Sequence, residues 1–268
     1  MPELPEVESA RRVLEHALDR RIVAVDDTDE WVCRPHPPGE IASVLVGGTL
    51  TAAHRRGKAM WCETRDEHGD DGPHLGLHLG MGGHLVVTDA DDVRAGGDPR
   101  PDGSQGRPEW NRFTVTFDDG GELRLFDKRR LGRVRLDPDI DALGPDAEEI
   151  TAAGLRERLR RSHAPVKARL LDQKVVAGIG NLLADETLWQ ARIAPSRPAD
   201  ELDRTEVNRL HRNLERALRS AIEKGGVHTG RVIAHRRADG ACPRCGAPMV
   251  HGTVGGRSTW WCSAEQAR

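Results

Sequence analysis

The sequence predicts an α+β fold: a β-rich first domain opened by a helix, then a helical domain that ends in a small cysteine-bearing tail. Three observations carry this. Phe113, Val115, Phe117, Leu123 and Leu125 alternate with polar residues, the period of half-buried strands. Beyond residue 146 the apolar spacing shifts to the helical period. Near the end, Cys242, Cys245 and Cys262 form a C-x2-C…C pattern.

The elements follow in order. Residues 5–19 read as a helix, because Val7, Ala10, Leu14 and Leu18 share one face with Val13 and Ala17 beside them. Pro5 suits a first turn, and Glu6 and Glu8 suit the positive end of the helix dipole. Residues 22–25 are apolar and β-branched, a strand. The DDGG turn between the alternating runs reads as a hairpin. Residues 66–73 and 90–109 are rich in Gly, Pro and Asp and read as surface loops. Residues 137–146 look like a linker. Helices are expected over 155–161, 166–172, 182–190 and 202–224, with VVAGIGN as the turn between the middle two and Asn181 as an N-cap. The expected domains are 1–136, a linker over 137–149, a helical domain over 150–226 and a tail over 227–268.

Composition bounds the function. The 268 residues are 37% hydrophobic and 31% charged, ordinary for a globular protein. No apolar run approaches the roughly 20 residues of a membrane span, and the start lacks a signal-peptide pattern, so a cytoplasmic protein is expected. Five cysteines, an odd number, argue against a disulfide framework. Net charge is only −3, but residues 1–150 carry 19 Lys+Arg against 31 Asp+Glu, and residues 151–268 carry 21 against 12. A basic half attached to an acidic one points to a polyanionic partner, or to a solvated basic surface.

Three groups could carry chemistry. Pro2 follows Met1, and removal of the initiator would leave a secondary amine. An α-amino group titrates near ~8, so part of it is neutral at pH 7 and can attack an aldehyde-like carbon. Glu3 beside it could move the proton, although most Pro-Glu starts are inert. His54-Arg55-Arg56-Gly57-Lys58 places a lysine by two arginines, which disfavour its charged form and suit it to proton abstraction; the plainer reading is a phosphate-binding strand. Cys242, Cys245 and Cys262 make three quarters of a zinc ribbon, with Glu265 where a fourth Cys would stand. Zinc accepts carboxylate oxygen, so Glu265 is the expected fourth ligand, with His251 as a substitute. Arg257, flanked by Gly255 and Gly256 at a hairpin tip, could meet a phosphate or form an ordinary turn.

MPELPEVE, RRGK, HLGMGGHL, DKRRLG, KARLLDQKVVAGIGNLLADE and CPRCG…GGRST occur in this order over nearly the whole chain. Together they resemble the formamidopyrimidine-DNA glycosylase/endonuclease VIII family. That resemblance implies an N-terminal β-sandwich with an N-terminal helix, then a helix–two-turn–helix domain with a C-terminal zinc-ribbon-like β-hairpin. It implies a monomeric DNA glycosylase/AP lyase with one structural zinc ion, acting on double-stranded DNA that contains damaged bases. Pro2 would be the Schiff-base nucleophile and Glu3 the general acid at the sugar. Lys58 would assist β-elimination or contact phosphate, and Arg257 would hold phosphate and assist δ-elimination. Asn181 and Lys167 would bind backbone phosphate. Met81 would be the wedge that fills the hole left by the flipped base, Arg129 the reader of the opposite base and Leu131 a second wedge where the purine-specific branch has Phe. Only fifteen residues separate Gly226 from Cys242, little chain to close over a flipped purine, so 8-oxoguanine is not the expected best substrate. An endonuclease VIII-like preference for oxidised pyrimidines, or a non-catalytic lesion binder on the same fold, are the alternatives.

Overall fold

The structure, a computed structural model, describes residues 2–89, 92–97 and 107–267. The chain divides into two compact units. Pro2 with Glu6–Ile140 forms the first; Glu3–Pro5 with Asp141–Arg268 forms the second. The boundary at 140/141 falls inside the segment expected as a linker.

In the first unit, α1 (Leu4–Leu14) continues as a short 3-10 turn, Glu15–Ala17. The strands are β1 (Ile22–Asp26), β2 (Thr49–Arg56), β3 (Ala59–Arg65), β4 (Leu75–His78), β5 (His84–Thr88), β6 (Val93–Gly97), β7 (Asn111–Phe117), β8 (Glu122–Phe126) and β9 (Arg133–Leu136), with short helices α2 (Glu30–Cys33) and α3 (Glu40–Leu45) between β1 and β2. They form two antiparallel sheets, ordered β1-β7-β8-β5-β6 and β2-β3-β4-β9, around one core. Alternation works as expected: Phe113, Val115 and Phe117 of β7 and Leu123 and Leu125 of β8 all point into that core, and the two strands pair across the DDGG turn. Cys33 and Cys62 lie in the same core, where burial pushes each thiol up to about 12, so both behave as small apolar residues.

One expectation fails here. Residues 93–97 form β6 and pair along β5, not a loop. The run Val-Arg-Ala-Gly-Gly has no strand signal of its own; it is recruited by the edge of β5, so tertiary context overrides propensity. The rest of the predicted 90–109 loop lies partly outside the described residues.

The second unit holds α4 (Ala152–Leu159), α5 (Val166–Leu171), α6 (Asn181–Ala191), α7 (Arg204–Lys224) and a hairpin of β10 (Met249–Val254) and β11 (Arg257–Cys262). α7 shows why its sequence makes a long helix. Asp203 and Glu206 form a reciprocal capping box, Gly225 closes the other end with φ +87°, and Val207, Leu210, Leu214, Ala217, Leu218 and Ala221 are buried along one stripe. α6 is buried along nearly its whole length, and Leu4 joins the same core. A smaller cluster of Trp189, Val232, Cys242, Met249 and Cys262 fixes the hairpin to α6. Among the described residues no helix is long and apolar enough to cross a membrane.

Candidate active site and nucleic-acid interface

The second unit holds Glu3 by long-range contacts. One Glu3 carboxylate oxygen accepts from the backbone N–H of Gly180 at 2.9 Å and Leu183 at 3.0 Å, and the other from Leu182 at 2.8 Å. These are the unsatisfied donors at the start of α6, where the positive end of the dipole favours an anion. Asn181 was expected to cap this helix; instead α6 begins at Asn181 after Gly180, and Glu3 takes the capping role from 177 residues away. A Cβ on Gly180 would come within 2.3 Å of Glu3 Cδ, so the glycine makes room for the carboxylate. Gln173 fastens the turn before it: its amide donates to the carbonyls of Leu171 and Ile179 and accepts from Gly178 N–H. Pro2, directly before Glu3 in the chain, is buried just ahead of α1.

Lys58 lies half-buried in the turn that joins β2 to β3. Arg55 beside it is tied to Glu8, 3.1 Å away, and Arg56 donates to the Ile140 carbonyl at 3.3 Å. Across the sheet, desolvation of the ring and the positive charges of Lys58, Arg133 and Arg135 hold His78 down to about 4, while the residue as a whole remains exposed. His78 is therefore neutral at pH 7, and its Nδ1 accepts from Gly80 N–H at 3.0 Å. Sequence reading missed this cationic group, because β4 and β9 become neighbours only in the folded sheet.

Met81 and Leu131 are 42% and 37% exposed, on two loops of the first unit. The loops touch at Gly80, whose φ is +61° and where a Cβ would lie 2.4 Å from the Leu131 carbonyl carbon. Asp127 sets the second loop: buried, it accepts from the backbone N–H of Arg129, Leu131 and Gly132. Arg129 is thereby exposed, whereas Arg130 is spent on Asp29 at 2.8 Å. Two exposed apolar side chains and an arginine thus share one rim.

Lys167 corrects its expectation. It is 0% exposed and pairs with Asp185 at 2.6 Å, while its ammonium donates to Thr259 Oγ1 at 2.7 Å and to the Ser258 carbonyl at 3.3 Å. An enclosed ammonium so engaged does not meet a phosphate. Burial pushes the Lys167 ammonium down and the Asp185 carboxyl up from their usual ranges, and their mutual attraction opposes both. Asp185 also accepts from Arg236 at 2.9 Å and from Trp260 N–H at 3.3 Å. Asn181 Nδ2 donates to the same Ser258 carbonyl at 3.0 Å. Lys167, Asp185 and Asn181 therefore grip β11 next to Arg257, which stays exposed at the hairpin tip opposite Val254.

The sulfurs of Cys242, Cys245 and Cys262 lie within 4.8 Å of one another, a spacing that fits thiolates around one ion. Burial raises Cys242, but hydrogen bonds from the Trp189 indole and from the Arg244 and Cys245 backbone outweigh it and hold the thiol at about 7. Burial pushes Cys262 up to about 11. Among the described residues no carboxylate or imidazole joins the three sulfurs. This corrects the expectation for Glu265, whose carboxylate is held by Arg244 at 2.7 Å and lies 3.7 Å from Arg192. Arg244 holds the carboxylate by a charge-assisted hydrogen bond, apart from the three clustered sulfurs. His251 is likewise taken, by Ser258 Oγ at 2.9 Å and by stacking on Trp260.

Two family models match: the formamidopyrimidine-DNA glycosylase N-terminal domain over residues 1–134 and the formamidopyrimidine-DNA glycosylase H2TH domain over residues 142–231. A formamidopyrimidine-DNA glycosylase of Symbiobacterium thermophilum is 36% identical, with 98% of this chain and 88% of that protein covered. One from Corynebacterium aurimucosum is 32% identical over 100% of this chain and 97% of the relative. Among solved structures, Lactococcus lactis formamidopyrimidine-DNA glycosylase bound to DNA with an abasic site is similar at TM-score 0.81 and 30% identity, covering 99% of this chain and 100% of that one. The same enzyme with DNA containing FAPY-dG gives TM-score 0.80 and 29% identity, covering 99% and 100%. With both of its parts matched in order, the chain belongs to the formamidopyrimidine-DNA glycosylase family and is a DNA repair glycosylase.

Proposed function

We propose that this glycosylase removes ring-opened or oxidised bases from duplex DNA through a covalent intermediate on Pro2 and then cuts the strand by β,δ-elimination. The observation that carries the reading is the carboxylate of Glu3, adjoining Pro2 and fixed on three N–H donors at the start of α6. Backbone N–H donors at a helix start hold the anionic carboxylate, which suits Glu3 to take the proton from the attacking amine and pass it on.

The chemistry runs as follows. The damaged nucleotide leaves the stack, and Met81 and Leu131 fill the space while Arg129 faces the unpaired base. The Pro2 nitrogen attacks C1′, and the glycosidic bond breaks with its electron pair going to the base, which takes up a proton. The proton on the attacking Pro2 nitrogen passes to the Glu3 carboxylate, which delivers it to O4′ as the C1′–O4′ bond opens, leaving an iminium ion between Pro2 and C1′. Loss of a C2′ proton, assisted by Lys58, expels the 3′ phosphate. A second elimination expels the 5′ phosphate, with Arg257 holding the anion. Each unit offers its own groups to backbone phosphate: Lys58 and Arg133 in the first, Asn181 in the second. This reading places the enzyme with the chromosome in the cytoplasm.

Zinc fits the three thiols, which are soft donors at ribbon spacing, and the Cys242 and Cys262 sulfurs already accept hydrogen bonds from N–H groups, as thiolates do. Cys242, Cys245 and Cys262 would hold it. A bound ion would tie the knuckle to β11 and so steady the hairpin that presents Arg257. A non-catalytic binder has no need of Pro2, Glu3 and Lys58 together. A preference within the lesions is favoured by one observation. Residues 227–241 hold two 3-10 turns, and Val232 N–H donates to Glu186 at 2.8 Å, which keeps this short segment against α6. We therefore expect ring-opened purines, oxidised pyrimidines and abasic sites to be processed faster than 8-oxoguanine. The test is single-turnover incision on a matched panel of lesion-bearing duplexes: intact strands on every lesion would overturn the enzyme reading, and fastest excision of 8-oxoguanine opposite cytosine would overturn the preference alone.

A further inference from the structure

The tail has three sulfurs and a fourth arm that points elsewhere. Cys242 and Cys262 are buried and Cys245 is exposed, with Cys245 and Cys262 sulfurs 3.5 Å apart. Zinc–sulfur bonds of ~2.3 Å place two thiolates of one tetrahedral ion roughly 3.7 Å apart, so this pair is already near coordination spacing. Glu265, which stands where a fourth ligand would be, serves the cluster only through its backbone, by donating N–H to Cys262 Sγ at 3.4 Å. Its carboxylate lies in a separate network. Arg244 binds it at 2.7 Å, stacks 4.1 Å above the Trp189 ring and donates to the Trp189 carbonyl at 3.3 Å, while the Trp189 indole donates to Cys242 Sγ at 3.3 Å. The turn is pinned as well: Gln266 accepts from Cys262 N–H at 2.9 Å and donates to the Ile193 carbonyl at 2.9 Å. To reach a metal, the Glu265 carboxylate would have to leave its place beside Arg244 and Arg192, and among the described residues no carboxylate gathers with the three sulfurs.

Electrostatics point the same way. Three thiolates on a divalent ion already sum to −1, and a carboxylate would bring the partly buried site to −2 with its nearest guanidinium abandoned. A neutral donor adds no charge.

We infer that a metal ion at this site is held by three thiolates, with Glu265 outside its coordination sphere, and that the fourth position opens to solvent on the Cys245 side and takes an exchangeable neutral donor, water at rest and an imidazole-type nitrogen when one is offered. This rests on the zinc reading above. Glu265 and Arg244 are then the mechanical substitute for the fourth bond: an ion pair, in place of a ligand, closes the finger on α6. Three protein ligands are the number found in open metal sites, whereas closed structural sites have four.

The experiment loads the full-length chain with Co(II), whose visible spectrum reports the donor set, and titrates imidazole into wild type, Glu265→Gln and Glu265→Cys. Metal content is measured alongside, and far-UV circular dichroism checks that each variant is folded. The expected result has three parts. Wild type and Glu265→Gln give the same spectrum, both shift saturably with imidazole, and Glu265→Cys gains sulfur-to-metal absorption and ignores imidazole. A wild-type spectrum that changes on Glu265→Gln, or that imidazole leaves untouched, overturns the inference while leaving zinc binding intact. Failure to take up Co(II) at all overturns the zinc reading and this inference with it.

Discussion

The two ends of α6 are secured by opposite charges, and they differ in how far the securing partner travels. At the start, an anion from the beginning of the chain, Glu3, sits on the free N–H groups. At the far end, a cation from the tail, Arg244, donates to the Trp189 carbonyl and covers its ring. Both follow the dipole. The first arrangement fixes the carboxylate proposed as the proton carrier, and a Cβ at Gly180 would displace it. The second ties the tail hairpin to the helix. The difference teaches that a helix end can hold either a group proposed for chemistry or a structural clasp, and the identity of the long-range partner decides which.

The largest expected effect breaks the first end. Gly180→Ala drives Glu3 off the α6 N–H groups. Single-turnover base excision should fall by about 10²- to 10⁴-fold, the usual worth of a positioned acid–base group, with DNA affinity nearly kept. An excision rate within threefold of wild type would show that Glu3 does its work from elsewhere.

Next comes the support beneath the hairpin. Asp185→Leu leaves the buried Lys167 without its charge partner and should cost about 3–5 kcal/mol in urea unfolding, whereas Lys167→Met, which leaves Asp185 with Arg236, should cost less. The double variant should recover part of that loss. Equal losses in all three would mean the pair is not coupled.

A control on the first unit is smaller and depends on pH. Burial raises Glu8, but Arg11, Arg55 and Arg12 outweigh it and bring its carboxyl down to about 2 from 4.5. A depressed acid contributes stability above its unfolded value and loses it as pH falls, here between about 4.5 and about 2. With allowance for solvent screening, the contribution is on the order of 1–2 kcal/mol. Unfolding free energies of wild type and Glu8→Gln, compared from pH 2 to pH 6, should converge at the acid end. Parallel curves would refute this.

The smallest effect concerns Arg257. Arg257→Ala should weaken binding to all duplex sequences alike and reduce the slope of log affinity against log salt by about 1, as expected for one lost phosphate contact. A sequence-dependent loss would mean that it touches bases.

Legibility in the sequence tracks the same contrast. Elements with their own period were readable: β7 and β8 from alternation, α7 from its helical apolar spacing. β6 was not, since only its partner β5 makes Val93–Gly97 a strand. Pro2, Glu3 and Lys58 stood out by residue type, but nothing near Glu3 announces that Gly180 and Leu182 hold it, because that contact spans 177 residues. Lys167 looked like a phosphate ligand because its partners Asp185 and Thr259 lie far along the chain. Glu265 looked like a metal ligand because spacing alone cannot reveal that Arg244 arrives first.

The central claim is a covalent bond between the Pro2 nitrogen and the sugar, and borohydride trapping tests it most directly. The protein with its initiator methionine removed is mixed with an abasic-site duplex and sodium borohydride, digested and mapped by mass spectrometry. The account predicts a stable adduct on the N-terminal peptide at Pro2, absent when the N-terminus is extended by a blocking residue. An adduct on Lys58 or another lysine, or undiminished trapping and excision by the blocked protein, would contradict it.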